Sequence, residues 1–382
     1  YNLDGTLFAG DGVKNAVVEK IPAGSQYARV ATQIFNPPAS VSQGSAPTRL
    51  WVEVTSATNG LTGFFLEGDD QFTLMDGADL SGSGTDLVIP IVENTGSATT
   101  ELSLVNVDSE DAKVVIDFLR ADGTVVSTQN TTVKKRGALQ APLSSLFNIS
   151  YVGVASLRVR GDRPLVCYGS VFRQSDNSLI TVAAQDATVP ARTIYFPQLA
   201  EGDSWSTGIG IVNLNYGQKT LVTITAYQSD GTLFAAPTVK ENPVTQEILP
   251  GGIFRSGLKS LFGFPASPLQ TGWIKVEASS AAINGFVEYG AGSDRAVVTA
   301  QIDPQPLSIF SHQAMAPPYY TGLALFNPGS LATNVEVYSL TSDGKTIGKT
   351  QRVLRPGQKE ALLIQQWVPA AAGKSGGSVF MR

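Results

Sequence analysis

Gly208 to Gly231, GIGIVNLNYGQKTLVTITAYQSDG, is the stretch whose reading decides the fold. Ile209, Ile211, Val222, Ile224 and Ala226 alternate with Gly210, Thr223, Thr225 and Tyr227, the period of two that a strand with one buried face requires. The density of β-branched residues argues against a helix. Asp230-Gly231 closes the stretch, and this pair predicts a two-residue hairpin turn with positive φ at its centre. Recognisable copies recur at intervals of roughly 107 to 118 residues, the size of a small β-sandwich domain.

The landmarks of the copies keep one order. Asp4-Gly5, Asp122-Gly123 and Asp343-Gly344 repeat the turn, each after an aromatic or aliphatic strand. Asn106 in LVNV, Asn213 in IVNL and Asn327 in LFNP each end the strand before a loop. Such an Asn either contacts a ligand or bonds the backbone of its own turn, and the second is the commoner use of Asn where a strand ends. After the Asp-Gly turn come a Gly turn (Pro22-Ala23-Gly24, Arg136-Gly137, Pro250-Gly251-Gly252, Pro356-Gly357) and a short apolar segment ending at Phe35, Phe147, Phe262 or Trp367. A strand holding Trp51, Leu157, Trp273 or Val379 follows. One helical turn is expected near Leu143 to Phe147 and another near Leu258 to Phe262. Trp51 and Trp273 begin equivalent alternating strands and are expected to be buried.

These landmarks divide the chain into a partial copy at 1–82, complete copies at 83–190 and 191–306, and a partial copy at 307–382. Each complete copy is expected to form its own sandwich. The first copy lacks its front strands and the fourth its last two, so both ends cut through a domain. Ser81-Gly82-Ser83-Gly84 reads as a linker, whereas Pro190 and the pair Pro304 and Pro306 mark joints too short for much freedom. The array reads as a semi-rigid rod.

Charged residues make up 15% of the chain and the net charge is −5, so no phosphate-binding face is indicated. Lys134-Lys135-Arg136 is the one basic run and reads as a solvated hairpin end. No apolar run reaches the ~18 residues that span a bilayer. Cys167, the single cysteine, lies in the strand pattern PLVCYGSV as a small hydrophobe, and an intrachain disulfide is impossible.

Phe196 to Asn213 (FPQLAEGDSWSTGIGIVN), the Asp-Gly-Thr turn, the LPGG turn and GWIKVEAS followed by NGF together resemble a widespread group of bacterial secreted β-sandwich repeats, immunoglobulin-like modules set in tandem on long exported proteins. The resemblance covers the whole chain and is best at 191–306. The copy at 85–190 departs most, with Ala98 where Trp205 stands and a shorter hairpin before Leu165. The group implies export and a cell-surface or extracellular setting, and it supplies no catalytic motif.

Chemistry-bearing clusters are scarce. A single His312 leaves one candidate base, Cys167 lies in another copy, and no G-x-S-x-G elbow is present, so no nucleophile and base are coupled. His312 reads as an edge-strand residue. Asp69-Asp70, Asp108-Glu110-Asp111 and Glu201-Asp203 sit at loops where Ca²⁺ is the cofactor to consider, without regular ligand spacing. Trp205 and Tyr319 hold equivalent places before a strand, and Tyr320 adjoins the latter. In a row they would stack on sugar rings; as packing residues they would cap the sandwich ends.

The sequence therefore predicts an all-β chain of tandem immunoglobulin-like sandwiches. It points to a non-enzymatic structural segment of an extracellular fibre, rod or surface layer, with self-association or neighbouring repeats as partners and strand complementation joining chain ends. A carbohydrate-binding or adhesive module contacting polysaccharide through Trp205, Tyr319 and Tyr320 is the alternative. Nucleic acid and a membrane span are not indicated.

Overall fold

A computed structural model describes residues 1–38, 49–69, 73–80, 82–149, 153–317 and 319–382. Asp70 and Ser81, named above in an acidic pair and a linker, lie outside the described residues. The chain is all-β with sandwich-like layering, and helix among the described residues is confined to short turns. It forms two compact units: Phe64–Asp303, and Tyr1–Gly63 together with Pro304–Arg382.

The larger unit opens with a hairpin, β1 (Phe64–Gly68) and β2 (Met75–Asp79). The second copy follows as β3 (Gly84–Val92), β4 (Ala98–Asn106), β5 (Ala112–Arg120), β6 (Val125–Val133), β7 (Ala138–Pro142), β8 (Ala155–Arg173), β9 (Ser178–Ala183) and β10 (Gln185–Asp186). The third is β11 (Thr193–Glu201), β12 (Trp205–Asn213), β13 (Thr220–Gln228), β14 (Val244–Ile248), β15 (Ile253–Gly257), β16 (Gln270–Ala278), β17 (Ile283–Ala291) and β18 (Asp294–Thr299). The helical turns expected from the sequence are present at Leu143–Leu146 and Leu258–Phe262.

The third copy shows the plan most plainly. One sheet has the order β11-β16-β13-β14 and the other β15-β12-β17-β18. Ile209, Ile211, Val222, Ile224, Ile274, Val276 and Val287 fill the core, so the alternation of the opening stretch is the alternation of two inward faces. In the second copy β8 serves both layers. Its first part pairs with β3 and β5, its second with β4 and β9. The third copy divides that work between β16 and β17 around a turn. The shorter connection in the second copy leaves no room for the turn, and the strand bends through Gly161, where a Cβ would come within 2.9 Å of Arg163 O.

The two copies also pack on each other through an apolar seam. Val212, Leu214, Ile253 and Phe286 of the third copy belong to the apolar cluster built around Ile89, Leu104, Ile116 and Leu157 of the second, while the third copy keeps a core of its own.

In the smaller unit the fourth copy supplies β19 (Ser308–Phe310), β20 (Gly322–Phe326), β21 (Thr333–Leu340), β22 (Thr346–Leu354), β23 (Lys359–Leu363) and β24 (Ser378–Met381). The orders β19-β24-β21-β22 and β20-β23 repeat those of the third copy without its last two strands. Leu323, Val337, Ile364, Trp367 and Val379 form the core. Residues Tyr1–Gly63 add the helical turn Ala31–Phe35 and a bridge between Asn2 and Leu50.

Trp51 and Trp273 are buried, at 8% and 4% exposure. Trp273 stands outside the apolar cluster that fills the sandwich. It stacks on Tyr227 at 4.1 Å and lies 6.5 Å from Tyr195, while its neighbour Ile274 turns inward. Trp51 stacks on Tyr1 at 4.5 Å in the same way.

The Asp-Gly turns differ from the two-residue turn expected. Gly5, Gly123, Gly231 and Gly344 have φ of 86°, 82°, 90° and 82°, and no Asp of the four is at positive φ. In every copy the Gly N–H donates to the carbonyl three residues back, as Gly123 does to Arg120 at 2.9 Å. The residue at that carbonyl donates in turn to the residue after Gly, as Arg120 does to Thr124 at 3.0 Å. This is a three-residue loop ending in a left-handed glycine. Asp is present for its side chain: Asp4, Asp122 and Asp230 each accept from the N–H two residues on, at 3.0, 2.9 and 2.9 Å.

Candidate functional site

The buried Asn of the second, third and fourth copies is a clamp. Asn213 Nδ2 donates to Gln218 O at 2.8 Å, Ile248 O at 3.2 Å and Leu249 O at 3.0 Å, while its Oδ1 accepts from Asn215 N at 3.0 Å. Asn106 does the same with Glu110, Val133, Lys134 and Asp108. Asn327 bonds Leu331, Leu354 and Gly329. Each thus ties its own loop to the Gly turn before the fifth strand. The reading of these residues as backbone-bonding is correct, and their reach goes beyond the local turn.

That Gly turn is where copies meet. In the larger unit Ile253 N donates to Ala121 O at 2.8 Å, and a Cβ on Gly123 would collide with Pro250 O. The Asp-Gly turn of the second copy is therefore packed backbone to backbone on the Gly turn of the third. The smaller unit repeats the contact from the fourth copy to the first: Gln26 N donates to Ser342 O at 2.9 Å, and a Cβ on Gly344 would lie 2.8 Å from Ala23 O. Glycine is required at both because any side chain would push the turns apart.

An ionic cluster bolts the seam between the second and third copies. Arg173 Nε and Nη2 donate to Glu93 at 2.9 and 2.8 Å, and its Nη1 and Nη2 to Glu288 at 2.6 and 3.1 Å. Arg255 bridges the same two carboxylates at 3.1 and 2.9 Å. Arg295 adds ion pairs to Glu288 at 3.5 Å and Asp176 at 3.4 Å. Burial works to raise the carboxyls of Glu93 and Glu288, but bonds from Arg173 and the charges around them win, and both lie below the usual range. Arg158 holds Asp86 with two bonds, at 2.8 and 2.6 Å, and stacks 3.4 Å above the Tyr216 ring. Gln185 Nε2 donates to Gly285 O at 2.6 Å. The β1-β2 hairpin is held to the second copy by acids: Glu67 accepts from the hydroxyls of Ser170 and Thr181, and Asp76 from Thr181 N at 2.7 Å. Burial pushes Asp76 up to about 6.

The residues singled out from sequence fall in several places. Trp205 opens β12 in the larger unit, half-buried, closing a tight bridge with Gly202. Tyr319 and Tyr320 are in the smaller unit, 54% and 66% exposed, beside an open groove lined by Met315, Pro317, Leu363, Gln365 and Gly373. His312 lies just past β19 and not in a strand, with Nδ1 3.3 Å from Gln26 Nε2. Cys167 is packed in the core, and burial drives its thiol far above the ordinary range, so it is inert.

The acidic loops are engaged locally. Asp69 takes the N–H groups of Thr73 and Leu74, Asp111 pairs with Lys134 at 2.9 Å, Glu110 with Arg163, and Asp203 accepts from Ser267 and Leu269. No group of three metal-ligating side chains is gathered among the described residues. No helix among the described residues is long and apolar enough to cross a membrane.

Sequence reasoning passed over the Arg-Glu cluster. Its signal was there: Glu288 in GFVEYG and Glu93 in PIVEN are acids set in apolar strands, where a charge needs a buried partner.

No family model matches the chain, and no curated protein matches it. Among solved structures it is similar to Thermotoga maritima 1070, known from a crystal structure, with 20% identity over 27% of this chain and 93% of that one, at a TM-score of 0.24. At that score the likeness carries no argument.

Proposed function

We propose that this chain is a non-enzymatic structural segment of an extracellular bacterial assembly, a fibre, rod or surface layer made by docking sandwich copies in series. The observation that supports the reading is the turn-on-turn contact, used once between the second and third copies and again between the fourth and the first. A contact made of one copy's Asp-Gly turn and another's Gly turn is heterologous, and heterologous contacts extend an array. The strongly coupled charges are absorbed in that packing: Arg173, Arg255, Glu93 and Glu288 neutralise one another across a seam. Electron microscopy of the purified chain tests the proposal. Ordered polymers or sheets support it, and uniform single particles at every concentration refute it.

One observation favours the carbohydrate-binding alternative. Tyr319 and Tyr320 leave broad aromatic faces exposed beside an apolar groove, the arrangement on which a sugar ring stacks. A glycan array separates the readings: binding that Tyr320→Ala abolishes would make the groove a ligand site.

A further inference from the structure

We infer that the docking of Ala23–Gln26 on the Ser342–Gly344 turn is a connector between chains, in which the first-copy segment of a second molecule occupies the turn of the fourth copy. The inference rests on the assembly reading above and names the surface that carries it. In the larger unit the contact runs from one copy to the next copy in the chain, through Ala121 O and Ile253 N. In the smaller unit the same contact, through Ser342 O and Gln26 N, runs from the fourth copy to the first. The first copy of a second molecule carries the same segment and can present it to the same turn. The bonds are identical whether the segment comes from the same chain or from a neighbour, so local concentration decides which one forms, as in domain swapping.

The contact carries its own address. The position of Ile253, which enters the apolar cluster of the second copy, is held in the first copy by Gln26. Gln26 Oε1 accepts from Gly377 N at 2.7 Å, and its Nε2 donates to Ser311 O and lies 3.3 Å from His312 Nδ1. An apolar residue forfeits the part-buried bonds to Ser311 and Gly377, and Gln26 in the apolar seam would bury an amide. Each mismatch costs hydrogen bonding, so the fourth copy selects a first copy and not an inner one.

The test mixes two variants that each add one exposed cysteine, Ser25→Cys and Ser342→Cys, and treats them with a short bismaleimide; buried Cys167 does not compete. At concentrations where assemblies sediment, the inference expects a covalent species of two chains in the mixture. It also expects that species to fall at least tenfold when Gly344→Val is added to the Ser342→Cys partner. Assemblies without the two-chain product, together with internally linked single chains from the double variant Ser25→Cys/Ser342→Cys, overturn the connector and leave the assembly reading standing. Closed single chains with no assembly at any concentration overturn both.

Discussion

Asn213 fixes the distance between two turns that belong to different hairpins, and its amide is matched to its site. Three backbone carbonyls face Nδ2, and one N–H faces Oδ1. Asn213→Ala leaves those buried groups unpaired and should destabilise the larger unit by about 1–3 kcal/mol. Asn213→Asp is nearly isosteric but aims a carboxylate at carbonyl oxygens, so it should cost more than alanine at pH 7 and recover part of the loss near pH 4. Equal melting temperatures for the two variants at pH 7 would contradict the clamp. The position of these Asn residues was legible from sequence, as was their backbone-bonding role. Their second turn was not, because it lies 35 residues away in Ile248 and follows from pairing. Lys359 is a different case. It pairs opposite Phe326 in β23, buried to 3% exposure, and burial pushes its ammonium down to about 7. Between that value and the unfolded value of ~10.4, the unfolded chain binds the proton and the folded one does not, so stability rises with pH across this window. Urea midpoints of the smaller unit's transition at pH 7 and 10 should show the rise, and Lys359→Met should abolish it. A rise that survives in the variant would assign it elsewhere.

At the scale of elements, the seam between the second and third copies is held by strands that each carry one charge into an apolar setting: Glu93 just after β3, Arg173 at the end of β8, Arg255 in β15 and Glu288 in β17. Removing one member strands the others. Glu288→Ala should cost about 3–5 kcal/mol, the range for breaking a buried pair, and Glu288→Gln less, since it keeps hydrogen bonds to Arg173. Because both carboxyls lie below the usual range in the folded state, their contribution is complete above the unfolded carboxyl value of ~4.3 and fades as pH falls through the lowered folded values. The larger unit should lose melting temperature steeply below about pH 4, with the Glu288→Ala variant losing less of it there. An acid transition unchanged by the substitution would contradict the assignment. The strands of the second, third and fourth copies, the helical turns and the place of the Asp-Gly turns were readable in sequence from periodicity and turn chemistry, whereas the strands expected at Tyr1 to Leu3 and at Trp51 are absent, with an isolated bridge between Asn2 and Leu50 in their place. The turn type was misread because Asp-Gly suits both a two-residue loop and a three-residue loop ending in left-handed glycine. The fusion of two strands into β8 left its trace as the shorter hairpin before Leu165, but the consequence depends on how two sheets share a strand.

At the scale of the molecule, repetition supplies four Asp-Gly turns and four Gly turns, and two such pairs are joined within the described units. Sequence could not show that Tyr1–Gly63 and Pro304–Arg382 gather into one unit, because no periodicity encodes which turn meets which. The open groove beside Tyr319 and Tyr320 was likewise legible only as two aromatics before a strand. If the proposed function holds, the turn-on-turn contact builds assemblies from this chain. Sedimentation velocity of the purified protein over a wide concentration series measures it most directly. The account predicts species heavier than the 40.2 kDa chain that grow with concentration and that Gly344→Val suppresses; a single 40.2 kDa species at every concentration would contradict it.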